Sequence, residues 1–557
     1  MVRNFLLLLI AAFALPGAMR IDQILNNYNP SSGPGLPNYA IAQGSITIVK
    51  GLELSDRSTG LQSTYPLPKI LEGVTVEVTV GGTTTTCILY YVLPQQLAFI
   101  VPSNTPVGTG TLKITNNGKV GTAPITVART GFGILTLNGA GTGPAGAFFA
   151  GTGTYVLNNN AANPDDFITL WGTGVGAFSG DETVLGSQAQ DYTTIDTQVY
   201  VGSVPAQVIY RGASIYPGLN QVIFKVPAGS PGGTAPEREK DAASTYAYGC
   251  YVSVVVFTNG IPSNQTTLPI HAKGSRVCSD PASQGLLSNA QLDGITAKGS
   301  VTFASLLAGR TTSTFSGVPA FTTDSATGVY QRFDLVNFNL NSIAGTVSYG
   351  SCAITGSPKV ATGVVLPKIQ LNYLDAGPNL ILAGNGNTAT LPRTQLTDGL
   401  LYFSATGQLP TNFLGTSTST PFSFTAEGGR DIGPHAPAIT IPIGFTWTNE
   451  VAVGGTPIDR TKGVTITWAN APANTFVQIT GNSTNAGGTV SFICFAPSEA
   501  NTITIQPDVL LQLPASTGAS AAAMSVATYV NKNFTADKLD YGIVTGFASA
   551  SRGVIFF

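Results

Sequence analysis

The stretch Asn163-Pro-Asp-Asp-Phe-Ile-Thr-Leu-Trp-Gly-Thr-Gly-Val-Gly176 decides the fold that we predict for this chain. It reads as a turn, a strand of about six residues with apolar side chains on both faces, and glycines where the backbone leaves the sheet. A weaker copy, Ala42-Gln-Gly-Ser-Ile-Thr-Ile-Val-Lys-Gly51, lies upstream. The two copies predict that the front half contains one folding unit twice.

The segments that follow each copy match as well. Val74–Val80 alternates apolar and polar residues before Gly81, and Thr197–Val201 does the same before Gly202, so each predicts a hairpin. Further on, Gln96-Leu-Ala-Phe-Ile-Val-Pro102 lines up with Gln221-Val-Ile-Phe-Lys-Val-Pro227. The order of strands therefore indicates a duplicated β-sandwich.

Several motifs of this front half together resemble one protein family. They are Thr130-Gly-Phe-Gly-Ile-Leu-Thr136, Gly141-Thr-Gly-Pro-Ala-Gly146, the stretch from Asn163 to Gly176, and the series Val201-Gly, Val208-Ile-Tyr210, Gln221 and Val226-Pro227. The family is the uncharacterised Ig-like (IPT/TIG-like) β-sandwich repeat of secreted acidobacterial proteins, and the resemblance covers roughly residues 20–271. It implies export and an Ig-like fold, and it implies no catalytic residues.

Composition extends the β-rich prediction to the whole chain. With 65 glycines and 35 prolines in 557 residues, the chain favours short strands joined by tight turns, and it is too long for one core. We predict an all-β fold of tandem Ig-like β-sandwich domains, like beads on a string. The predicted parts are a signal peptide (1–18), a lead-in segment (19–40), sandwich 1 (41–128), sandwich 2 (129–271) with a charged insertion (234–249), a β-rich domain (282–440) and a C-terminal Ig-like sandwich (441–557).

The N-terminus predicts the compartment. A short basic start precedes an apolar run from Phe5 to Ala14, with small residues suited to cleavage after Ala14 or Ala18. The run is too short to span a bilayer, and no later segment holds eighteen consecutive apolar residues. We therefore predict a secreted or cell-surface protein without a transmembrane helix in the mature chain.

The cysteines indicate one disulfide and no zinc site. There are five, and none forms a C-x-x-C pair. Cys87 and Cys494 lie at apolar strand positions and are predicted to be buried thiols. An export route permits a disulfide among the other three, for which Cys278–Cys352 is the preferred pairing and Cys250–Cys278 the rival.

The search for catalytic groups yields no candidate. The chain has two histidines, His271 and His435, and both are interpreted as ordinary surface or linker residues because no G-x-S-x-G motif supplies a nucleophile. Gly141–Gly146 has the letters of a dinucleotide motif, but it contains proline and no helix can follow it. We predict no cofactor.

Oxygen ligands for a metal gather at one place only. Asp165 and Asp166 precede a strand, with Asn163 and the run Asn158–Asn160 nearby. The spacing matches no EF-hand, and aspartates at such a position more often accept hydrogen bonds from turn amides. Calcium stays a minor alternative, and no metal site is predicted.

The leading functional hypothesis is a non-catalytic exported protein for adhesion or cell-envelope assembly, with a protein or glycan surface as partner. Only 10% of residues are charged and the net charge is −2, which excludes a nucleic-acid footprint. One alternative is carbohydrate binding through Trp447, Tyr246 or Tyr248, although core packing is favoured for Trp447 and Trp468. The other is a hydrolase within residues 282–440.

Overall fold

The computed structural model describes most of the chain. The described residues are 19–30, 32, 36–227, 249–271, 276–278, 297–315, 317–334, 347–358, 372–396, 399–403, 408–416, 421–516, 518 and 521–557. The predicted signal peptide, the tyrosines Tyr246 and Tyr248, and all but the last residue of the charged insertion lie outside them. Within the described part, no helix is long and apolar enough to cross a membrane.

Sandwich 1 consists of two sheets that face each other over an apolar core. Its strands are β1 (Arg20–Asn26), β2 (Ile41–Ala42), β3 (Ile46–Leu52), β4 (Val74–Val80), β5 (Thr83–Thr86), β6 (Ile88–Leu93), β7 (Gln96–Ile100), β8 (Gly108–Asn116) and β9 (Lys119–Ala128). The sheets have the orders β1-β3-β7-β6 and β2-β9-β8-β4-β5. The predicted lead-in segment (19–40) was therefore wrong in its first part, because β1 pairs with β3 and belongs to sandwich 1. Every second residue of β4 is buried, as its alternating sequence predicts.

Sandwich 2 repeats this pairing scheme. Its strands are β10 (Gly133–Ile134), β11 (Ala147–Phe149), β12 (Phe167–Thr173), β13 (Gln190–Asp191), β14 (Thr197–Val201), β15 (Val204–Ala213), β16 (Asn220–Lys225), β17 (Gly249–Thr258), β18 (Ile261–Pro262) and β19 (Thr266–Ile270). Strand β12 pairs with β16 as β3 pairs with β7, and β14 pairs with β17 as β4 pairs with β8. The predicted duplication is therefore present in the strand pairing.

The strand registers of the two sandwiches agree residue for residue next to the matched glycines, Gly51 and Gly172. Lys50 lies opposite Gln96, and Trp171 lies opposite Gln221. Gly172, which follows Trp171, does not leave the sheet: β12 continues to Thr173. A Cβ on Gly172 would lie 2.3 Å from the backbone oxygen of Gly133 on the neighbouring strand, so glycine is needed for close strand approach.

The two units differ at Cys87. Counting residues from the hairpin turn matches Cys87 with Val208. The pairing with the next strand matches Leu89 with Val208 instead, because Leu89 lies opposite Phe99 and Val208 lies opposite the equivalent residue, Phe224. The return strand of sandwich 1 therefore holds two more residues and is interrupted at Cys87, whereas β15 is continuous. Cys87 is a buried free thiol, as predicted.

The rest of the chain forms two further cores around one long sheet. Its elements are β20 (Ser300–Phe315), β21 (Val318–Asp334), β22 (Cys352–Pro358), β23 (Asn372–Tyr373), β24 (Asn379–Gly384), β25 (Asn387–Leu396), β26 (Gly399–Phe403), β27 (Pro421–Ala426), β28 (Ala438–Thr440), β29 (Thr446–Trp447), α1 (Glu450–Gly455), β30 (Val464–Ala469), β31 (Phe476–Asn485), β32 (Gly488–Pro497), a 3₁₀ turn (Ser498–Ala500), β33 (Thr502–Ile505), α2 (Pro507–Leu510), β34 (Ala522–Phe534) and β35 (Tyr541–Gly553).

This sheet crosses the boundary that we predicted at residue 441. Its order is β22-β32-β31-β34-β35-β20-β21-β26-β25-β24-β27-β28, and β20 pairs in parallel with β35. A second sheet, β29-β30-β33, covers one of the cores. The all-β prediction is confirmed, but residues 282–440 and 441–557 share a sheet, because alternating residues predict a strand and not its partner.

We predict that Gly172→Ala destabilises sandwich 2 by about 1–3 kcal/mol, because the added methyl group overlaps backbone and the ring of Phe132. Gly60→Ala is the matched control, since no atom lies within 4 Å of the position that its methyl group would take. Thermal unfolding followed by circular dichroism measures both. Equal melting temperatures for the two variants would contradict the close-approach argument.

Candidate functional site

His435 is a core residue, so its interpretation as a surface histidine was wrong. Its side chain is buried, stacks on Phe534 and lies 2.7 Å from the hydroxyl of Tyr330 through Nε2. Nδ1 donates to the carbonyl oxygen of Gly433 at 2.9 Å, so Nε2 accepts from Tyr330. Burial lowers the pKa of His435. With both ring nitrogens engaged, this imidazole is a structural group and has no free position for proton transfer.

The two aspartates in the turn before β12 form ion pairs with basic side chains. Asp165 pairs with Lys225 at 3.0 Å, and Asp166 pairs with Arg276 at 2.5 Å. Asp166 also accepts the backbone N–H of Asn163, as predicted for a turn aspartate. Both carboxylates are thus engaged by basic side chains, and among the described residues no group of three or more His, Cys, Asp or Glu side chains is arranged to hold a metal.

His271 lies beside this turn and ties it to β19 through its backbone. Its carbonyl oxygen accepts from the amide side chain of Asn163 at 2.8 Å, and its N–H donates to the carbonyl oxygen of Ala162 at 2.9 Å. The residue therefore closes sandwich 2 where β19 ends.

Asp375 and Asp431, two described carboxylates within residues 282–440, do not form an acid–base pair. Burial opposes ionisation of Asp375, but the N–H of Gly377 and the guanidinium of Arg393 outweigh it, so its pKa is lowered. Arg430 lowers the pKa of Asp431. A glycosidase needs one carboxylic acid that stays protonated near neutral pH, and both of these are held ionised. The hydrolase hypothesis gains no support from them.

A third aspartate of this region is buried and structural. Asp324 binds Arg310 through both carboxylate oxygens at 2.7 and 2.8 Å, and it accepts the N–H of Leu414 at 3.0 Å. Arg310 also donates to the carbonyl oxygen of Gly415. The pair therefore fixes the loop at residues 409–415 against the long hairpin.

The two tryptophans predicted for the core lie there. Trp447 and Trp468 are each 3% exposed and belong to the same apolar cluster. Their indole N–H groups donate to the side chain of Asn449 and to the carbonyl oxygen of Ser498, both at 2.9 Å. Trp447 is thus no exposed sugar platform.

The disulfide prediction needs correction. Cys278 binds Cys250, which is the rival pairing, and Cys352 binds Cys494. Cys278 and Cys352 are therefore not joined to each other, and Cys494 is not a thiol. The second bond links β22 to β32 over 142 residues of sequence, a separation at which no local pattern indicates a partner.

Sandwiches 1 and 2 meet at a junction with a partly buried carboxylate. Glu182 of sandwich 2 accepts two hydrogen bonds from Ser103 of sandwich 1, from the backbone N–H at 2.8 Å and from Oγ at 2.7 Å. The hydroxyl of Tyr90 donates to the carbonyl oxygen of Pro217 at 2.6 Å. Burial raises the pKa of Glu182 in spite of the bonds from Ser103. These contacts fix how the two sandwiches meet.

A second junction joins sandwich 2 to the C-terminal half. Oγ of Ser203, in the turn between β14 and β15, lies 3.1 Å from Oδ2 of Asp508 on α2. The other carboxylate oxygen of Asp508 is buried without a partner among the described residues. Nearby, the side-chain amide of Gln265 donates to the carbonyl oxygen of Cys352 at 2.6 Å. Burial raises the pKa of Asp508 to about 7, outweighing the bond from Ser203.

A pocket lies at one end of the long sheet. It is formed by the end of β20, by the end of α1 with the two residues after it, and by the end of β35 with the two residues after it, and its volume is about 260 Å³. Arg552 is the charged residue among the described residues that line it. Sequence reasoning missed this site because its three walls are remote along the chain.

Comparison with known proteins adds only distant likenesses. No family model and no curated protein sequence matches the chain. Among solved structures it is similar to a Ca²⁺-stabilised adhesin that helps an Antarctic bacterium bind ice (10% identity, 97% of this chain and 99% of that one, TM-score 0.13). It is also similar to the titin I9–I11 tandem (7%, 72% and 94%, 0.13) and to domains 5–6 of the S-layer protein SbsC (13%, 46% and 99%, 0.14). Similarities at these TM-scores carry no argument about function.

We predict that Asp508 makes the free energy of unfolding decrease as the pH rises. Between pH 3.8, its ordinary pKa, and about pH 7, its pKa in the folded protein, this carboxyl takes up a proton when the chain folds. Its contribution to the free energy of unfolding is therefore complete below pH 3.8 and is lost as the pH rises through 7. The slope from one such proton is at most about 1.4 kcal/mol per pH unit. Asp508→Asn should remove this slope and be the more stable form at pH 8.

Chemical denaturation at pH 5, 6, 7 and 8 measures this effect as the difference between wild type and variant. Asp196→Asn, at an exposed carboxyl in the same sandwich as Ser203, is the control and should keep the wild-type pH dependence. A pH profile unchanged by Asp508→Asn would show that this carboxyl does not titrate in the folded protein over that range.

Proposed function

We propose that this chain is an exported, non-catalytic protein whose rigidly joined β-sandwich modules present surfaces for adhesion or envelope assembly. The observation that carries the proposal is the junction at Ser103 and Glu182, because two modules held by partly buried hydrogen bonds keep a fixed mutual orientation. A flexible linker would let them reorient freely. A fixed geometry suits a spacer that holds a binding surface at a set position.

Export is supported by two independent features. The basic and apolar start of the sequence has the pattern of a signal peptide. The Cys250–Cys278 and Cys352–Cys494 bonds belong to a type that persists in oxidising compartments and is rare in the cytosol. The resemblance to the Ig-like repeat of secreted acidobacterial proteins agrees with both.

The absence of catalysis is supported by the state of the candidate groups. His435 has both nitrogens bonded, and Asp375 and Asp431 are ionised beside arginines. Carbohydrate binding remains the second candidate, but it must use groups other than Trp447, which is buried. The partner is proposed to be a protein or a glycan at a cell surface.

A binding assay with the mature chain tests the adhesive function. Fluorescent beads coated with residues 19–557 should bind isolated cell envelopes or their extracted polysaccharides, and beads coated with an unrelated protein should not. Turnover of any substrate in a panel of glycosidase, esterase and peptidase assays would overturn the non-catalytic proposal, provided that the activity co-purifies with the chain.

The rigid junction gives a separate prediction. Spin labels at Thr122→Cys and Gln198→Cys, one exposed position in each sandwich, should show a narrow distance distribution by double electron–electron resonance. Glu182→Ala should broaden it, because two hydrogen bonds across the junction are lost. Glu77→Ala removes only an exposed ion pair with Lys113 and should leave the distribution unchanged. A broad distribution in the unmodified background would refute a fixed junction.

A further inference from the structure

The pocket at the end of the long sheet has the dimensions of a small-ligand site. Its volume of about 260 Å³ lies just below the range of about 300–1,000 Å³ typical of sites for drug-sized ligands. Thr314 and Phe315 of the hairpin tip form one wall, and the segment from Gly454 to Pro457 forms another. A ligand of this size would correspond to a single sugar or a small organic acid.

Arg552 lines this pocket, and several of its N–H groups have no partner among the described residues. It lies opposite Thr314 in the parallel ladder between β20 and β35. Its side chain is 19% exposed, and within the described part of the chain its ion pair is with Glu450, at 3.3 Å from Nη1. A guanidinium carries five N–H donors, so several stay available to a ligand.

Gly454 makes room for this arginine. A Cβ at residue 454 would lie 1.8 Å from Nε and 2.1 Å from Cδ of Arg552, so any larger residue must displace the guanidinium. At Gly455, the next residue, a Cβ would have no atom within 4 Å. The position of Arg552 therefore depends on one glycine of α1 and not on its neighbour.

Apart from Glu450, the described residues around the guanidinium in this pocket are uncharged. Phe315 presents a ring that is 39% exposed, and Pro457, Val554 and Ile555 add apolar surface. Thr314 and Thr456 carry hydroxyl groups. Glu450, whose carboxylate pairs with Arg552, is not among the described residues that line the pocket, and no other Asp or Glu is among them. A ligand with one negative charge, hydroxyl groups and an apolar face matches these walls.

We propose that this pocket binds a carboxylate-bearing sugar, a hexuronate unit, with its carboxylate on Arg552 and its ring beside Phe315. Guanidinium and carboxylate form paired, charge-assisted hydrogen bonds, which are stronger than bonds between neutral groups. The threonine hydroxyls exchange hydrogen bonds with the sugar hydroxyls. This inference deepens the proposed function, because it names a ligand class for an adhesive surface.

Isothermal titration of residues 19–557 with sodium D-glucuronate tests the proposal, with D-glucose and sodium acetate as comparison ligands. Glucuronate should bind with one site per chain and at least about tenfold more tightly than either comparison ligand. Glucose lacks the charge, and acetate lacks the ring. Acetate binding as tightly as glucuronate would overturn the sugar assignment, and the absence of saturable glucuronate binding would overturn the site.

Three variants locate the binding within the molecule. Arg552→Gln should weaken glucuronate binding by about 10- to 100-fold, the range expected for a lost charge-assisted pair. Because Arg552 also holds Glu450, Gly454→Ala provides a second route that retains the arginine but displaces it, and Gly455→Ala is its matched control. Phe315→Ala should weaken binding without touching a core. Equal affinity of Gly454→Ala and Gly455→Ala would contradict the role of Arg552.

Measuring glucuronate binding and envelope attachment on the same variants tests the pocket and the adhesive function separately. Loss of glucuronate binding in a variant that still attaches to envelopes would overturn the pocket as the adhesive surface and leave the adhesive function itself standing. Failure of envelope attachment together with intact glucuronate binding would refute the adhesive function and leave the pocket assignment standing.

Discussion

The parallel pairing of β20 with β35 is the interaction on which the C-terminal half depends. The ladder runs from Phe303 opposite Tyr541 to Thr314 opposite Arg552. It joins segments about 240 residues apart, so its formation requires that the intervening chain fold back on itself. Strands β21 and β34 then extend the sheet on either side. The same ladder places Arg552 beside the hairpin tip, which creates the pocket.

The front half could be predicted in detail because its information is local and repeated. Gly51 and Gly172 mark equivalent points of close strand approach, and Gln96 and Gln221 lie opposite equivalent residues. Because the same strand pattern occurs twice, each copy supports the strand assignment of the other. The comparison of the two copies failed at Cys87, where two extra residues alter the strand without disturbing the hairpin on one side or the pairing on the other. The lead-in prediction failed at Arg20–Asn26, which forms a strand of sandwich 1.

The C-terminal half could not be predicted in the same way because its contacts are remote. Cys352 and Cys494 pair across 142 residues, and nothing near either cysteine indicates the other. His435 was misassigned because Gly433-Pro-His looks like an exposed loop, while the partner that buries it, Tyr330, comes from another strand. The pocket combines a glycine, an arginine and a hairpin tip that share no motif. Alternation reveals which residues form strands, whereas pairing depends on the whole chain.

The direction of β20 and β35 has a mechanical consequence. In a parallel ladder, the start of β20 and the end of β35 lie at opposite ends of the paired region. A pulling force that enters the sheet at Ser300 and leaves it at Gly553 therefore slides the two strands along each other. The hydrogen bonds of the ladder then bear the force together and must break at the same time, instead of breaking one after another from one end. Such an arrangement resists extension under tension, whatever the chain holds at its surface.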